Sequence, residues 1–439
     1  MNTAQPPHTH IIGAGLAGLA AGVRLARQGV PVTLYETSPR AGGRCRSYHD
    51  TQLDCVIDNG NHLMMSGNHA VMDYLAEIGA ADRLSGPAET EFPFVDVEAR
   101  TRWSLKPGAG IFPWWIFDPT RRVPRTGPFE YMSVIRLLAA NATDTVADCI
   151  GSEGTLYRNF WEPLTVAALN ADPKVASAQL MRPVLTETFL RGANACRPLV
   201  ARNSLANTLI DPALDVIKSA GAIINFGCRV RSLAFKDNHV ESLVTDSGHI
   251  HLTETDTVIC AVPAWTATSL VPDLAAPGAG EPIVNVHYRL ARPLADEGDV
   301  KIVGVIGGLA QWVFVRSDLA SVTISAAADV VDQTAEIIAA VCWKDVALAL
   351  ELEGEPEPPS RVVKERRATF AQDPVSAGLR PKSATKYPNL LLAGDWTATG
   401  VPATIEGAVR SGFRAAALAL GRHRTSTPKT TEQQQDKAA

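Results

Sequence analysis

Hydrophobic positions in the first forty residues fall into a short extended run at 9–12, an Ala/Leu-rich stretch with helical spacing at 16–28, and a second extended run at 30–35. Two such runs flanking one helical stretch predict a strand, a helix and a parallel strand, with Gly29 ending the helix. The same reading predicts a helix at 204–220, a strand at 225–230 after Gly221, and a buried strand at 257–262 closed by Pro263. Between the last two, residues 231–252 alternate around turn signals at Asp237-Asn238 and Ser247-Gly248, the pattern of a small antiparallel meander. A last strand falls at 389–393. Elsewhere, 282–290, 302–307 and 321–326 look like strands of a further sheet, and 134–143 and 332–349 look like helices. There is no internal repeat, and residues 354–359 make a short acidic, proline-bearing linker.

This order of elements predicts an α/β fold. A Rossmann-like dinucleotide-binding domain is built from three separated pieces, 1–80, 204–265 and 385–421, and a second, α+β domain from 81–203 and 266–384. Residues 422–439 are polar and read as a disordered tail. A chain of 439 residues, 46% hydrophobic, exceeds what one core usually holds, so two domains are the natural expectation. The net charge of -5, with Lys and Arg interspersed, gives no nucleic-acid surface. Seven scattered cysteines with no CxxC and no metal-ligand spacing point to a reducing cytoplasm and to no metal site. The first residues lack the basic and apolar regions of a signal peptide, and no apolar stretch approaches the roughly 20 residues that span a bilayer.

The first strand, turn and helix carry the sequence GAGLAG. Gly13 permits the tight turn, Gly15 lets phosphate oxygens approach the backbone, and Gly18 lets helix and strand pack closely. Leu16 and Ala17 open the helix, whose positive N-terminus faces a pyrophosphate. Glu36, at the end of the second strand, stands where a carboxylate accepts both ribose hydroxyls, and an acid there disfavours the 2′-phosphate of NADP. Gly42-Gly43-Arg44 follows, offering further N–H groups and a guanidinium to the same pyrophosphate. Near the far end, Gly394 and Asp395 follow the last strand, with Asp395 placed to accept hydrogen bonds from ribityl hydroxyls. Pro402, Ala403 and Thr404 lead into a helix over 403–420, with the proline in its first turn and its positive end near the flavin N1 and O2 edge. Together these segments read as one FAD site.

With Asp58-Asn59-Gly60-Asn61-His62 and AGDWTATGVPATIEGAVRSG added, the motifs resemble the flavin amine oxidase and phytoene desaturase superfamily. Within it the chain is most similar to the squalene-associated FAD-dependent desaturases, the hydroxysqualene dehydroxylases. That narrower likeness rests on FWEPLTVAALN at Phe160, IVNVHYRL at Ile283, GGLAQWVFVR at Gly307, ERRATFAQDP at Glu365 and GDWTATGVPATIEGA. The resemblance covers nearly the whole chain. It implies a bacterial enzyme of squalene and hopanoid synthesis, in which an isoprenoid alcohol loses its allylic hydroxyl as water and takes a hydride from reduced FAD. It also implies a long-chain isoprenoid substrate, a functional link to squalene/phytoene synthase-like enzymes, Asn59 and Gly60 beside the flavin ring, and Val230 facing adenine or ribose through its backbone.

A leaving hydroxyl needs a proton, and a nearby cation needs electron-rich or apolar walls. His62 is the first candidate donor, set against a plain loop-fixing histidine, and Glu162 and Glu406 are weaker ones, Glu406 serving a helix start or the ribityl chain. Trp161, Trp312 and Trp396 are candidate walls for a polyisoprene or the flavin, set against ordinary core packing. Residues 111–117, IFPWWIF, followed by Arg121, Arg122 and Arg125, read either as an aromatic dock on the inner face of the plasma membrane or as a buried hairpin. Three rivals stay open. Amine oxidases of the superfamily usually carry an aromatic residue where this chain has Thr404, which argues against amine oxidation. A carotenoid desaturase also acts on a polyisoprene, and prenyl-binding chaperones keep the fold without the flavin.

Overall fold

The structure is a computed structural model that describes residues 7–426. Its frame is a parallel sheet of five strands in the order Ile223–Phe226, Val32–Glu36, Thr9–Ile12, Thr257–Cys260, Leu390–Leu392. Thr9–Ile12, with no exposed position, is the middle strand, and its end delivers the glycine turn to the centre of the sheet edge. The helices Leu16–Arg27, Asp211–Ser219 and Ile405–Ser426 pack together over one face, with Ala20, Ala21, Ile217, Ala415 and Ala416 in their shared core. Small residues set how close they come. A Cβ added to Gly412 would lie 2.2 Å from Ala17 O, so any larger side chain would push the closing helix off the first one.

The strand at 223–226 begins two residues earlier and ends four earlier than the hydrophobic pattern suggests. Gly227, at φ 66°, breaks it, and Val230 instead opens the meander Val230–Lys236, His239–Thr245, Gly248–His251. Asp237 and Asn238 turn its first hairpin with φ of 47° and 60°, the two left-handed residues that a tight turn of matching twist requires.

A seven-stranded sheet forms the second layer, in the order Ser360–Glu365, Ile283–Arg289, Leu319–Ile324, Trp312–Arg316, Val300–Ile306, Phe92–Asp96, Thr101–Leu105. It is antiparallel except where Val300–Ile306 runs parallel to Phe92–Asp96. Helix Ala335–Ala349 contributes Ile338, Cys342 and Val346 to a core shared with this sheet. The helix expected at 134–143 is only Val134–Leu138, a continuation of the 3-10 turn Pro128–Ser133.

The closing helix starts at Ile405, not 403, because the Thr404 hydroxyl accepts the Gly407 N–H at 3.1 Å and so caps it. Pro402 therefore lies before the cap and not in the first turn. At its other end the helix runs to Ser426, into the segment expected as a tail, and the remainder of that segment lies outside the described residues.

Candidate active site

The turn after the first strand makes a cradle for an anion. Gly13 turns at φ 103°, and a Cβ on Gly18 would stand 2.0 Å from Gly13 O, so the helix starts directly against the turn. Gly15 is the N-cap; no side chain caps this helix and its first turn, Leu16, Ala17 and Gly18, holds no acid. A Cβ on Gly15 would meet nothing within 4 Å, so the backbone there faces open space. A bare positive helix end beside open backbone fits a pyrophosphate. The Gly42 N–H donates to Ala14 O at 2.8 Å, pairing the Gly42-Gly43 segment with the turn at Gly15. Glu36 closes the other side. Its two carboxylate oxygens accept the Ala14 and Ser38 N–H groups, each at 2.8 Å, which fixes the acid and leaves lone pairs for ribose hydroxyls. Residue 228 donates its N–H to Glu36 O at 2.9 Å, so the backbone leading to Val230 runs past the same acid.

Arg44 joins the two ends of the chain. Its guanidinium donates to Asp395 Oδ1 at 2.7 Å and to Ala368 O at 2.5 Å, so here it bridges the amino-terminal and carboxy-terminal signatures. Asp395 is buried, and Gly394 before it adopts φ 145° against the Trp396 ring. The Trp396 indole N–H is committed to Val262 O at 2.9 Å, leaving only its faces for a flavin or a substrate. Trp396 lines a small cleft with Arg44, Pro263, Phe370 and Asp395.

Two residues that sequence reasoning passed over hold this junction. Arg380, pushed down to about 10 by burial but still charged at neutral pH, donates to Asp395 O, Val401 O and Thr399 Oγ1, all within 2.8 Å. Gln372 donates to Leu169 O and accepts the Ala403 N–H at 2.8 Å, tying the end of helix Glu162–Leu169 to the closing motif. Both lie in or near ERRATFAQDP, the string that had suggested a subfamily but no role.

The 58–62 loop lies between the layers. Asp58 accepts Ser47 Oγ and the Leu205 N–H, and pairs with Arg316 of the second sheet at 3.0 Å. Asn59 donates to Glu365 Oε2 at 3.4 Å, and a Cβ on Gly60 would crowd the Asn285 amide at 3.3 Å. His62 Nε2 sits 3.8 Å from Cys45 Sγ, beside the Gly-Gly-Arg segment. Burial holds this histidine down at about 4; the carboxylate of Asp58 opposes that and the Arg44 cation adds to it. His62 is thus neutral at pH 7, a hydrogen-bonding group and not a reserve of protons.

Glu406 is buried, accepts the Ala70 and Val71 N–H groups at 3.1 and 3.0 Å, and pairs with Arg410, so the helix start that it serves is that of His69–Glu77. Glu162 is half-buried at the start of its helix. Burial, then the charge of Asp172, holds its carboxyl above the usual range. Trp312 packs edge-on to Phe94 in the seven-stranded sheet at 5.5 Å, and Trp161 packs on Phe160 at 4.8 Å. Within IFPWWIF the two readings divide. Trp115 and Ile116 are buried, whereas Ile111 (80%) and Trp114 (69%), with Phe112 and Phe117, are exposed. Phe129, Met132 and Ile135, three apart along the adjoining turn and helix, are exposed as well.

Residues 16–420 match the family model for flavin-containing amine oxidoreductases. The chain belongs to that family. It is 44% identical to hydroxysqualene dehydroxylase of Sinorhizobium fredii over 96% of this chain and 100% of that one. It is 45% identical to the enzyme of the same name from Rhodopseudomonas palustris over 94% and 98%. Cyclohexylamine oxidase from Brevibacterium oxydans shares the fold, with TM-score 0.68 over 95% of this chain and 99% of that one at 16% identity. The chain is therefore an FAD-dependent oxidoreductase, and no helix among the described residues is long and apolar enough to cross a membrane.

Proposed function

We propose that this flavoprotein is a hydroxysqualene dehydroxylase: it removes the allylic hydroxyl of hydroxysqualene as water and delivers hydride to the carbon, giving squalene. The observation that carries this reading is full-length relatedness to enzymes of that name, together with a cradle whose two halves meet at Arg44 and Asp395. When bound, reduced FAD supplies the hydride and, in it, the two electrons of the reduction. Gly13, Gly15, Leu16, Ala17, Gly18, Gly42 and Gly43 hold its pyrophosphate, Glu36 its ribose, Val230 its adenosine end, and Asp395 its ribityl chain. Asn59, Gly60, Pro402, Ala403 and Thr404 would hold the ring. Arg44, held by Asp395, would offer its guanidinium to the pyrophosphate.

Glu162 keeps its proton to higher pH than a free carboxyl and gives it to the leaving oxygen; His62, neutral at working pH, orients the loop or the hydroxyl. Trp161, Trp312 and Trp396 supply apolar, electron-rich walls that exclude water from a developing allyl cation. The substrate is a long apolar chain that water does not carry. The exposed aromatic surface at 111–125, at the inner face of the plasma membrane, takes it from the bilayer. A link to squalene/phytoene synthase-like enzymes follows from where such an alcohol must arise.

The test is anaerobic incubation of the dithionite-reduced protein with hydroxysqualene, followed by mass analysis. One squalene per flavin is the expected yield; phytoene or an amine oxidised by the oxidised protein instead, with no squalene formed, overturns the assignment. A protein that stays colourless after added FAD places it with the non-enzymatic prenyl binders.

A further inference from the structure

Trp161 is 3% exposed, and its indole N–H is a buried donor with no partner. Such a group is costly to leave unpaired, and an apolar ring of similar size would avoid that cost. Two other buried tryptophans have their N–H satisfied, Trp396 by Val262 O and Trp343 by Glu355 O. Trp161 also closes the π-helical turn Tyr157–Trp161, a local widening of the helix that often accompanies a functional position.

The surroundings of Trp161 are aromatic, a file of buried rings that ends at Trp115 beside the exposed Trp114. Trp115, next to the exposed Trp114, meets Tyr131 edge-on at 5.6 Å; Tyr131 meets Phe160 at 6.3 Å; Phe160 meets Trp161 at 4.8 Å. Tyr131 spends its hydroxyl on the Val123 N–H and the Thr126 hydroxyl. The indole of Trp161 is thus the unpaired polar group at the inner end of this file. From there helix Glu162–Leu169 rises about 12 Å to the Leu169 carbonyl, which Gln372 ties to the closing motif.

We propose that the Trp161 indole N–H donates a hydrogen bond to the hydroxyl of the substrate. It fixes where the oxygen of an otherwise apolar chain comes to rest, and the rings from Trp115 to Phe160 carry the hydrocarbon. This rests on the reading that the substrate is a hydroxylated polyisoprene. Product, having lost its oxygen, leaves the N–H unpaired and is released, so the same group separates substrate from product.

The experiment measures binding of hydroxysqualene and of squalene to the oxidised holoprotein, by flavin absorbance perturbation in detergent micelles. Wild type is expected to bind the alcohol at least tenfold more tightly. Trp161→Phe, which keeps a ring and removes the donor, is expected to abolish that preference, weakening the alcohol about tenfold and leaving squalene unchanged; Trp161→Tyr, which returns a donor, is expected to restore part of it. Equal weakening of both ligands by Trp161→Phe means packing alone and overturns the proposal, as does an unchanged preference. Where Trp161→Phe does not retain flavin, wild type decides, since squalene binding as tightly as the alcohol overturns it too. Failure of the reaction itself is seen separately, in the squalene yield of the reduced wild-type protein.

Discussion

At the scale of single residues, two glycines three positions apart do opposite things, and the difference can be measured. Both lie in GAGLAG. A methyl on Gly18 meets Gly13 O at 2.0 Å, an impossible approach, so Gly18→Ala must shift the helix from the turn and is expected to cost about 1–3 kcal/mol of stability. A methyl on Gly15 meets nothing within 4 Å, and its φ of -75° suits alanine, so Gly15→Ala is expected to melt with the wild-type apoprotein. Yet the methyl would fill the open space proposed for a phosphate oxygen, so this variant is expected to purify with far less flavin. The ratio of absorbance at the flavin band to that of the protein, with apoprotein melting curves, separates the two effects. A Gly15→Ala protein fully loaded with flavin would move the pyrophosphate elsewhere. The sequence placed both residues because fingerprint glycines obey backbone geometry. Arg380 and Gln372 were invisible by contrast, since each is one polar residue in a loop whose partners are backbone groups and Thr399 Oγ1.

Among elements, apolar runs were the most legible, although the largely buried strands Phe92–Asp96 and Trp312–Arg316 went unmarked. The strands Thr9–Ile12, Thr257–Cys260 and Leu390–Leu392 are wholly buried and stood out as apolar runs. Thr101–Leu105 and Ser360–Glu365 are the edges of the seven-stranded sheet and half-exposed, and no periodic signal marks them. The aromatic segment Trp114–Phe117 was legible only as a choice between surface and core, and it is both: Trp115 packs inward on Tyr131 while Trp114 faces out. Its neighbour Pro128–Ser133 adds Phe129 and Met132, and Ile135 follows on the next turn. Residues 111–136 hold four arginines and two acids in a chain of net charge -5, so this surface is locally positive and suits anionic lipid. Trp114→Ser combined with Phe129→Ser, both at exposed positions, is expected to leave flavin content and melting unchanged. Co-sedimentation with phosphatidylglycerol vesicles is expected to fall about tenfold, two apolar side chains being worth a few kcal/mol when fully inserted. Unchanged co-sedimentation removes the bilayer from the reading; a change in oligomeric state instead assigns the surface to a second copy.

For the molecule as a whole, the junction between its layers is held by polar groups, and it is there that acid acts first. His287 of the second sheet is buried, bonded to Ser321 Oγ at 2.8 Å, and lies beside Asp58 and Arg316, the pair that joins sheet to loop. His10 is buried in the first sheet against Tyr35 Oη at 2.9 Å, and His62 lies in the loop between them. Burial holds all three at about 4, below the 6.5 of a free histidine. Between those values the unfolded chain takes up protons that the folded one refuses, so stability is complete above pH 6.5 and drains away as pH falls towards 4. Three such groups give a slope of at most about 4 kcal/mol per pH unit. The buried carboxylates Asp50 and Asp96, held below the usual range mainly by hydrogen bonds and ion pairs that outweigh their burial, add their loss only under more acid conditions. Thermal unfolding of the holoprotein is therefore expected to be level from pH 8 to about 6.5 and to fall steeply from there to 4. His287→Gln keeps a hydrogen-bonding side chain and does not titrate, so its slope is expected to be about a third shallower. A melting temperature level down to pH 4.5 would mean that these imidazoles reach water or anionic partners in solution, and that the layers are joined less tightly than the Asp58–Arg316 contact implies.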